Sequence, residues 1–326
     1  MSEKNYDAVN WNNVEDQVDM MSWNKLVSQF WLDTRIPVSN DLDDWRKMPA
    51  DEKEVLNRAF AGLTLLDTLQ SQDGVPSIIN DAVTPLEIAV LNNIQFMESV
   101  HAKSYSTIFI TLNNKNEIDN VFDFANNNEF LQFKAERING IYQTGTPLQR
   151  KAASVVLESF LFYSGFYAIL RFLGENRMAS TAEIIKLIIK DESVHGTYIG
   201  YKFQKGLEKL STEEQEEVKE WVYSLLYEMY SNEVKYSALV YDKVGWTSEV
   251  KVFLRYNANK ALANLGYDPL FPDTAADVNP IIINGLSGSA TNHDFFSKVG
   301  NSYFMGNIET MSDNDYDFDA ISRDKK

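Results

Sequence analysis

A chain of 326 residues with 47 acidic against 30 basic side chains carries a formal net charge of −17, which argues against nucleic acid and anionic membrane surfaces as partners. Its 44% hydrophobic and 13% aromatic content can fill a sizeable core. Length alone would suggest about two domains, although long-helix folds often run larger as one unit. Cysteine is absent, which excludes disulfides, thiolate metal sites, iron–sulfur clusters and a cysteine nucleophile. Any metal must therefore be held by oxygen and imidazole nitrogen, and any thiol chemistry must come from a partner. No uninterrupted apolar run approaches about 20 residues and no signal-peptide pattern opens the chain, so a soluble, cytoplasmic protein is expected.

In chain order, residues 1–17 are polar and read as a weakly ordered lead-in. A first helix is expected over 18–35, ended by Pro37, and a second over 51–73, stopped at Gly74. Thr84-Pro85-Leu86-Glu87, Thr146-Pro147-Leu148-Gln149, Ser180-Thr181-Ala182-Glu183 and Ser211-Thr212-Glu213-Glu214 read as capping boxes. They open long periodic segments at about 85–112, 147–175, 181–208 and 212–243. Further helices are expected over 116–142, broken near Asn126 to Asn128, and over 248–265, ended by Gly266. No period-2 strand and no solenoid repeat stands out. The expectation is an all-α bundle of long helices spanning 18–272. Residues 273–326 have no apolar stripe, and the acidic stretch Glu309 to Asp319 has only isolated apolar residues. They read as a flexible tail, either docking on another protein or merely solubilising.

Two of the three histidines end the same four-residue pattern, Glu98-Ser-Val-His101 and Glu192-Ser-Val-His195. Positions i and i+3 share a helix face, so each motif aims a carboxylate and an imidazole the same way. A bundle core receiving two such motifs and one carboxylate from each of two other helices is a di-iron or di-manganese site. Each motif lies in an apolar seam: Leu91, Ile94, Tyr105 and Ile108 flank the first, and Ile184, Ile188 and Ile199 the second. A charged glutamate there is costly unless a metal compensates it, and no lysine or arginine shares either stripe. Asp67, in line with Phe60 and Leu63, and Glu158, in line with Val155, Phe162, Phe166 and Ile169, are lone acids on otherwise apolar faces. Together they give four carboxylates and two imidazoles on four helices, enough charge to neutralise two divalent cations. Tyr105 stands one turn past His101, where a phenol is an available one-electron donor. Most buried tyrosines only fill space.

On these residues the chain resembles the small, radical-generating subunit of class I ribonucleotide reductases, from Trp31 through the tail. Its compact length, the Lys190 to His195 segment and the Tyr163 region are most similar to the class Ib form. The resemblance implies a ferritin-like fold, a homodimer, and metal ligands Asp67, Glu98, His101, Glu158, Glu192 and His195. It implies two manganese or two iron ions per chain, a stable radical on Tyr105, and a flavodoxin-like activator protein. It also implies that the radical passes to a cysteine of the large catalytic subunit, where ribonucleoside diphosphates are reduced to deoxyribonucleotides. Trp31 and Asp191 match the family's relay to His101, and Tyr303 matches the tail tyrosine that hands the radical across. Tyr316 falls in the acidic docking segment, the ending Ser322 to Lys326 departs from the usual pattern, and His293 reads as an ordinary exposed histidine.

Two competing readings have different signatures. A stand-alone di-metal oxidase of the ferritin-like superfamily needs neither a redox tyrosine at 105 nor an interaction tail. A ferritin-like store would form a shell from a much shorter bundle and would not need Trp31, Asp191 and His101 together.

Overall fold

Among residues 8–287, which the computed structural model describes, the chain forms helices joined by short connections and no strand. The order is α1 (Gln17–Ser28), α2 (Leu42–Lys47), α3 (Ala50–Leu69), α4 (Val75–Ile79), α5 (Pro85–Leu112), α6 (Lys115–Asn127) and α7 (Glu129–Thr144). It continues with α8 (Pro147–Val156), α9 (Tyr163–Gly174), α10 (Ala179–Leu207), α11 (Thr212–Tyr241), α12 (Thr247–Asn264) and α13 (Pro280–Ser287). The all-α, long-helix bundle read from the sequence is the architecture found. Thr146 and Ser211 close reciprocal capping boxes with Gln149 and Glu214, as their spacing predicts. Asn128 breaks α6 from α7 at ψ 121° and caps α7 through Phe130 and Leu131.

The two long helices that carry Asp67 and Glu158 are not regular. Helix α3 does not stop at Gly74: a π-turn at Gln70–Gly74 leads straight into α4. Gly74 keeps helical φ and is there for close approach, because a Cβ would fall 2.1 Å from Gln70 Oε1 and 2.8 Å from the Tyr142 ring. The expected helix 147–175 likewise contains a π-turn, Leu157–Leu161, with Glu158 inside it. Single π-turns reset the side-chain register within a helix and recur at functional sites. The segment Pro147–Gly174 is long and apolar enough to cross a membrane by composition, yet its most apolar stretch is wholly buried within the fold. It is the central core helix, packed by α3, α10, α12 and α13.

Three local expectations need correction. Helix α1 ends at Ser28 instead of about 35, since Gln29, Trp31 and Asp33 are buried while Phe30 and Leu32 are exposed. That alternation has period two, which a helix cannot present to one core. Ser180 does not cap α10. The helix begins at Ala179 after left-handed Met178, and Asp41 accepts from the Ser180 and Thr181 N–H groups at 3.1 and 2.6 Å. Asp44 accepts from the Met178 N–H at 2.9 Å, so the cap comes from 134 residues earlier in the chain. At Thr84 the box is half formed, because Glu87 reaches back to Val83 instead of Thr84.

Past Pro272, helix α13 packs along α9, with Val278 and Ile282 buried and Asn279 bonded to Glu249 at 2.7 Å. Residues 1–7 and 288–326 lie outside the described residues, and with them the expected tail positions His293, Tyr303 and Tyr316.

Replacing Asp41 with alanine leaves two N–H groups at the start of α10 without acceptors. Such a loss costs about 1–2 kcal/mol of stability, read as a lowered midpoint in chemical denaturation with an unchanged slope.

Candidate metal centre

Asp67 leaves α3, Glu98 and His101 leave α5, Glu158 sits in the second π-turn, and Glu192 and His195 leave α10; all six are buried. The fold brings all of them to one place, in two overlapping groups. Asp67, Glu98, His101 and Glu192 form one, and Glu98, Glu158, Glu192 and His195 the other, with donor atoms in each within 4.8 Å of one another. Glu98 and Glu192 belong to both groups and stand between the two histidines. His101 Nδ1 is 3.0 Å from Glu192 Oε1, 3.6 Å from Glu98 Oε2 and 3.8 Å from Asp67 Oδ1. His195 Nδ1 is 2.8 Å from Glu98 Oε1, 3.5 Å from Glu192 Oε2 and 3.6 Å from Glu158 Oε2. The two imidazole rings lie 6.0 Å apart and nearly parallel.

Electrostatics explains why this cluster calls for cations. Burial pushes the Asp67 and Glu158 carboxyls well above the usual range, and the charges of neighbouring glutamates push further. Burial disfavours charged imidazole, but the surrounding carboxylates outweigh it and hold both histidines well above their ordinary value. Burial also opposes a charged Glu192, which the adjacent Glu158 carboxyl and the nearby imidazoles of His101 and His195 overcome, so it lies below the usual range. Protons thus neutralise the cluster when nothing else does. Both oxygens of Asp67, Glu98 and Glu192, Oε2 of Glu158 and Nδ1 of both histidines lack hydrogen-bond partners. Unpartnered donors of this density are not tolerated in a dry core. The oxygen and nitrogen donor set, with four carboxylates for two divalent charges, fits a dinuclear metal site.

The surrounding contacts fix orientation. His101 Nε2 lies 3.1 Å from Asp191 Oδ2, which directs Nδ1 at the cluster. Asp191 also accepts from Trp31 Nε1 at 2.7 Å and from Gln29 Nε2 at 2.6 Å. Trp31 stacks on His101 at 5.8 Å and 18°. Tyr105 is fully buried against Phe60, its hydroxyl without a partner, and burial together with Asp67, Glu192 and Glu98 pushes its ionisation well up. Sequence reasoning missed Gln29, Gln70, Ser154 and Tyr142. Gln70 had a usable signal, standing three residues past Asp67 on the same face, whereas Tyr142 reaches the site from α7 with no local pattern to reveal it.

The family model for the ribonucleotide reductase small chain matches residues 8–280. This chain belongs to that family. It is 52% identical over 312 residues to the ribonucleoside-diphosphate reductase subunit beta nrdF2 of Mycobacterium tuberculosis, covering 95% of this chain and 96% of that one. It is 50% identical to the Escherichia coli ribonucleoside-diphosphate reductase 2 subunit beta, covering 95% and 98%. The crystal structure of the dimanganese(II) NrdF of Streptococcus sanguinis superposes with a TM-score of 0.86 at 64% identity, covering 87% of this chain and all of that one. The chain is therefore the small, or beta, subunit of a ribonucleoside-diphosphate reductase, an oxidoreductase that works with a large subunit.

Raised histidine values give the metal-free protein a pH signature. The folded state holds protons that the unfolded chain releases near pH 6.5, so their stabilisation is present below that pH and fades as pH rises through the folded values. Metal-free protein is expected to be more stable at pH 6 than at pH 8, and saturating Mn(II) to reverse that order, because cations displace the protons. Thermal denaturation at both pH values, with and without metal, checks the sign. His195→Ala should lower the bound stoichiometry from two ions to one, read by metal analysis.

Proposed function

We propose that this subunit holds two manganese or iron ions on Asp67, Glu98, His101, Glu158, Glu192 and His195, and that it generates and stores a tyrosyl radical on Tyr105. The observation that carries the reading is the joint burial of an unpartnered six-donor cluster and an unpartnered phenol that feels its carboxylates. Ions held in reduced form by these six residues would supply the oxidising power for removing one electron from a phenol, with dioxygen, or superoxide from a flavodoxin-like activator, as the oxidant.

The chain's own residues do the rest. Burial keeps the Tyr105 phenol protonated until its electron leaves. The same burial, with no hydrogen-bond partner for the hydroxyl among the described residues, shields a radical there from reduction by solutes. Trp31, Asp191 and His101 form a bonded and stacked path from the centre towards the segment after α1. We assign to them, and to Tyr303 of the tail, the relay of the radical to the large subunit, where ribonucleoside diphosphates are reduced. The absence of cysteine fits this division: the oxidant is stored here and the reducing thiols lie on the partner.

Affinity order alone would favour iron over manganese on this donor set, so manganese rests on likeness to the dimanganese neighbour. The homodimer, the activator and docking through the acidic tail belong to the same proposal, as does a soluble, cytoplasmic location. The half-exposed Phe30–Phe96 pair, 6.1 Å apart, is an apolar patch of the kind a dimer would cover.

Tyr105→Phe should retain two bound ions while losing the organic radical, followed by electron paramagnetic resonance, and nucleotide reduction. Retained turnover would rule out the assigned role. Deleting residues 307–326 should leave radical formation intact and abolish association with the large subunit in sedimentation; continued binding would move docking elsewhere.

A further inference from the structure

The four carboxylates of the cluster are not equivalent. Asp67, Glu98 and Glu192 have both oxygens without hydrogen-bond partners, but Glu158 has only Oε2 in that state. Its Oε1 accepts a short hydrogen bond from Gln70 Nε2. Gln70 is fully buried and opens the π-turn that follows α3. The same Nε2 donates to Ser154 Oγ at 2.8 Å, and Gln70 Oε1 accepts from the Tyr142 hydroxyl at 2.7 Å. These partners fix the amide's orientation. Turned over, it would set its carbonyl against the Glu158 carboxylate and lose its acceptor for Tyr142. Three elements therefore clamp one amide: α7 through Tyr142, α8 through Ser154, and the first π-turn itself. The turn fits only because Gly74 has no side chain, since a Cβ there would overlap Gln70 Oε1.

We propose that Gln70 is a positioning residue that reserves Glu158 Oε1 and presents only Oε2 to the ion shared with His195. The two ion positions then differ in carboxylate freedom. The position served by Asp67 and His101 draws on carboxylates with both oxygens free, whereas the one served by His195 depends on a carboxylate held by a neutral amide. Neutrality matters, because a lysine or arginine at position 70 would add a positive charge beside the cations. Both π-turns acquire a common purpose here, since one places Gln70 and the other places Glu158 for the same bond. This inference rests on the dinuclear reading above.

The test is a Mn(II) titration of the full-length chain, wild type beside Gln70→Met, which keeps side-chain length while removing donor and acceptor. Gln70→Met should bind one Mn(II) with unchanged affinity and the other about 10–100-fold more weakly. At one equivalent per site, the exchange-coupled signal of a Mn(II) pair should give way to that of isolated Mn(II). Tyr142→Phe, which frees the amide carbonyl at little cost in volume, should weaken the same ion by less. Circular dichroism and the metal-free unfolding midpoint report whether each variant folds; should Gln70→Met not fold, Tyr142→Phe decides. Wild type binding two ions while the folded variant binds both with wild-type affinity and coupling would overturn the role of Gln70. Wild type failing to bind two ions would instead overturn the dinuclear reading.

Discussion

Four carboxylates and two imidazoles share one buried volume, and the surrounding bundle is arranged around the cost of putting them there. Charges in a low-dielectric core are tolerated only when matched, and among the described residues no lysine or arginine pairs with the cluster. Contrast the buried Lys134–Glu233 pair, which compensates itself at 2.8 Å and has Ser164 on the remaining oxygen. That pair ties α7 to α11 and leaves nothing open to a ligand. The six-donor cluster is unmatched by protein groups, and protons or metal cations must complete it. Stability, pH response and chemistry at the centre thus share one origin.

The polar residues just outside the cluster divide its two ends. At one end Asp191 gathers His101, Trp31 and Gln29, making a bonded route outward from an imidazole. At the other, Gln70 holds Glu158 in place and is itself pinned by Tyr142 and Ser154. The outward-leading end holds two aromatic rings in stacked and hydrogen-bonded contact; the clamped end is an amide and hydroxyl network. That asymmetry suits the proposed storage of oxidising power at the centre and its release in one direction.

Much of this was legible in the chain because helices report themselves locally. Glu98 and His101, or Glu192 and His195, are one turn apart, and polar residues interrupting an apolar seam stand out whatever the fold around them. Asp67 and Glu158 needed more: each is a single acid on an apolar face, meaningful only beside the other four. The corrections fall where distant segments override local rules. Ser180 looks like a cap, but Asp41 and Asp44 occupy the N-terminus of α10 first. Gly74 looks like a stop, but its missing side chain makes room for Gln70 and Tyr142.

By itself, then, the sequence determined that the protein is a long-helix bundle, that any metal is bound by oxygen and nitrogen, and which six side chains are the candidate donors. Spacing along one helix and the absence of cysteine are properties of the chain alone. Only the tertiary structure decided the register at which those helices meet, the two π-turns that shift Gln70 and Glu158 into contact, and the irregular segment that turns Trp31 onto His101. The physical reason is that these depend on packing and hydrogen bonds between residues 72 to 160 positions apart, where no periodicity carries information.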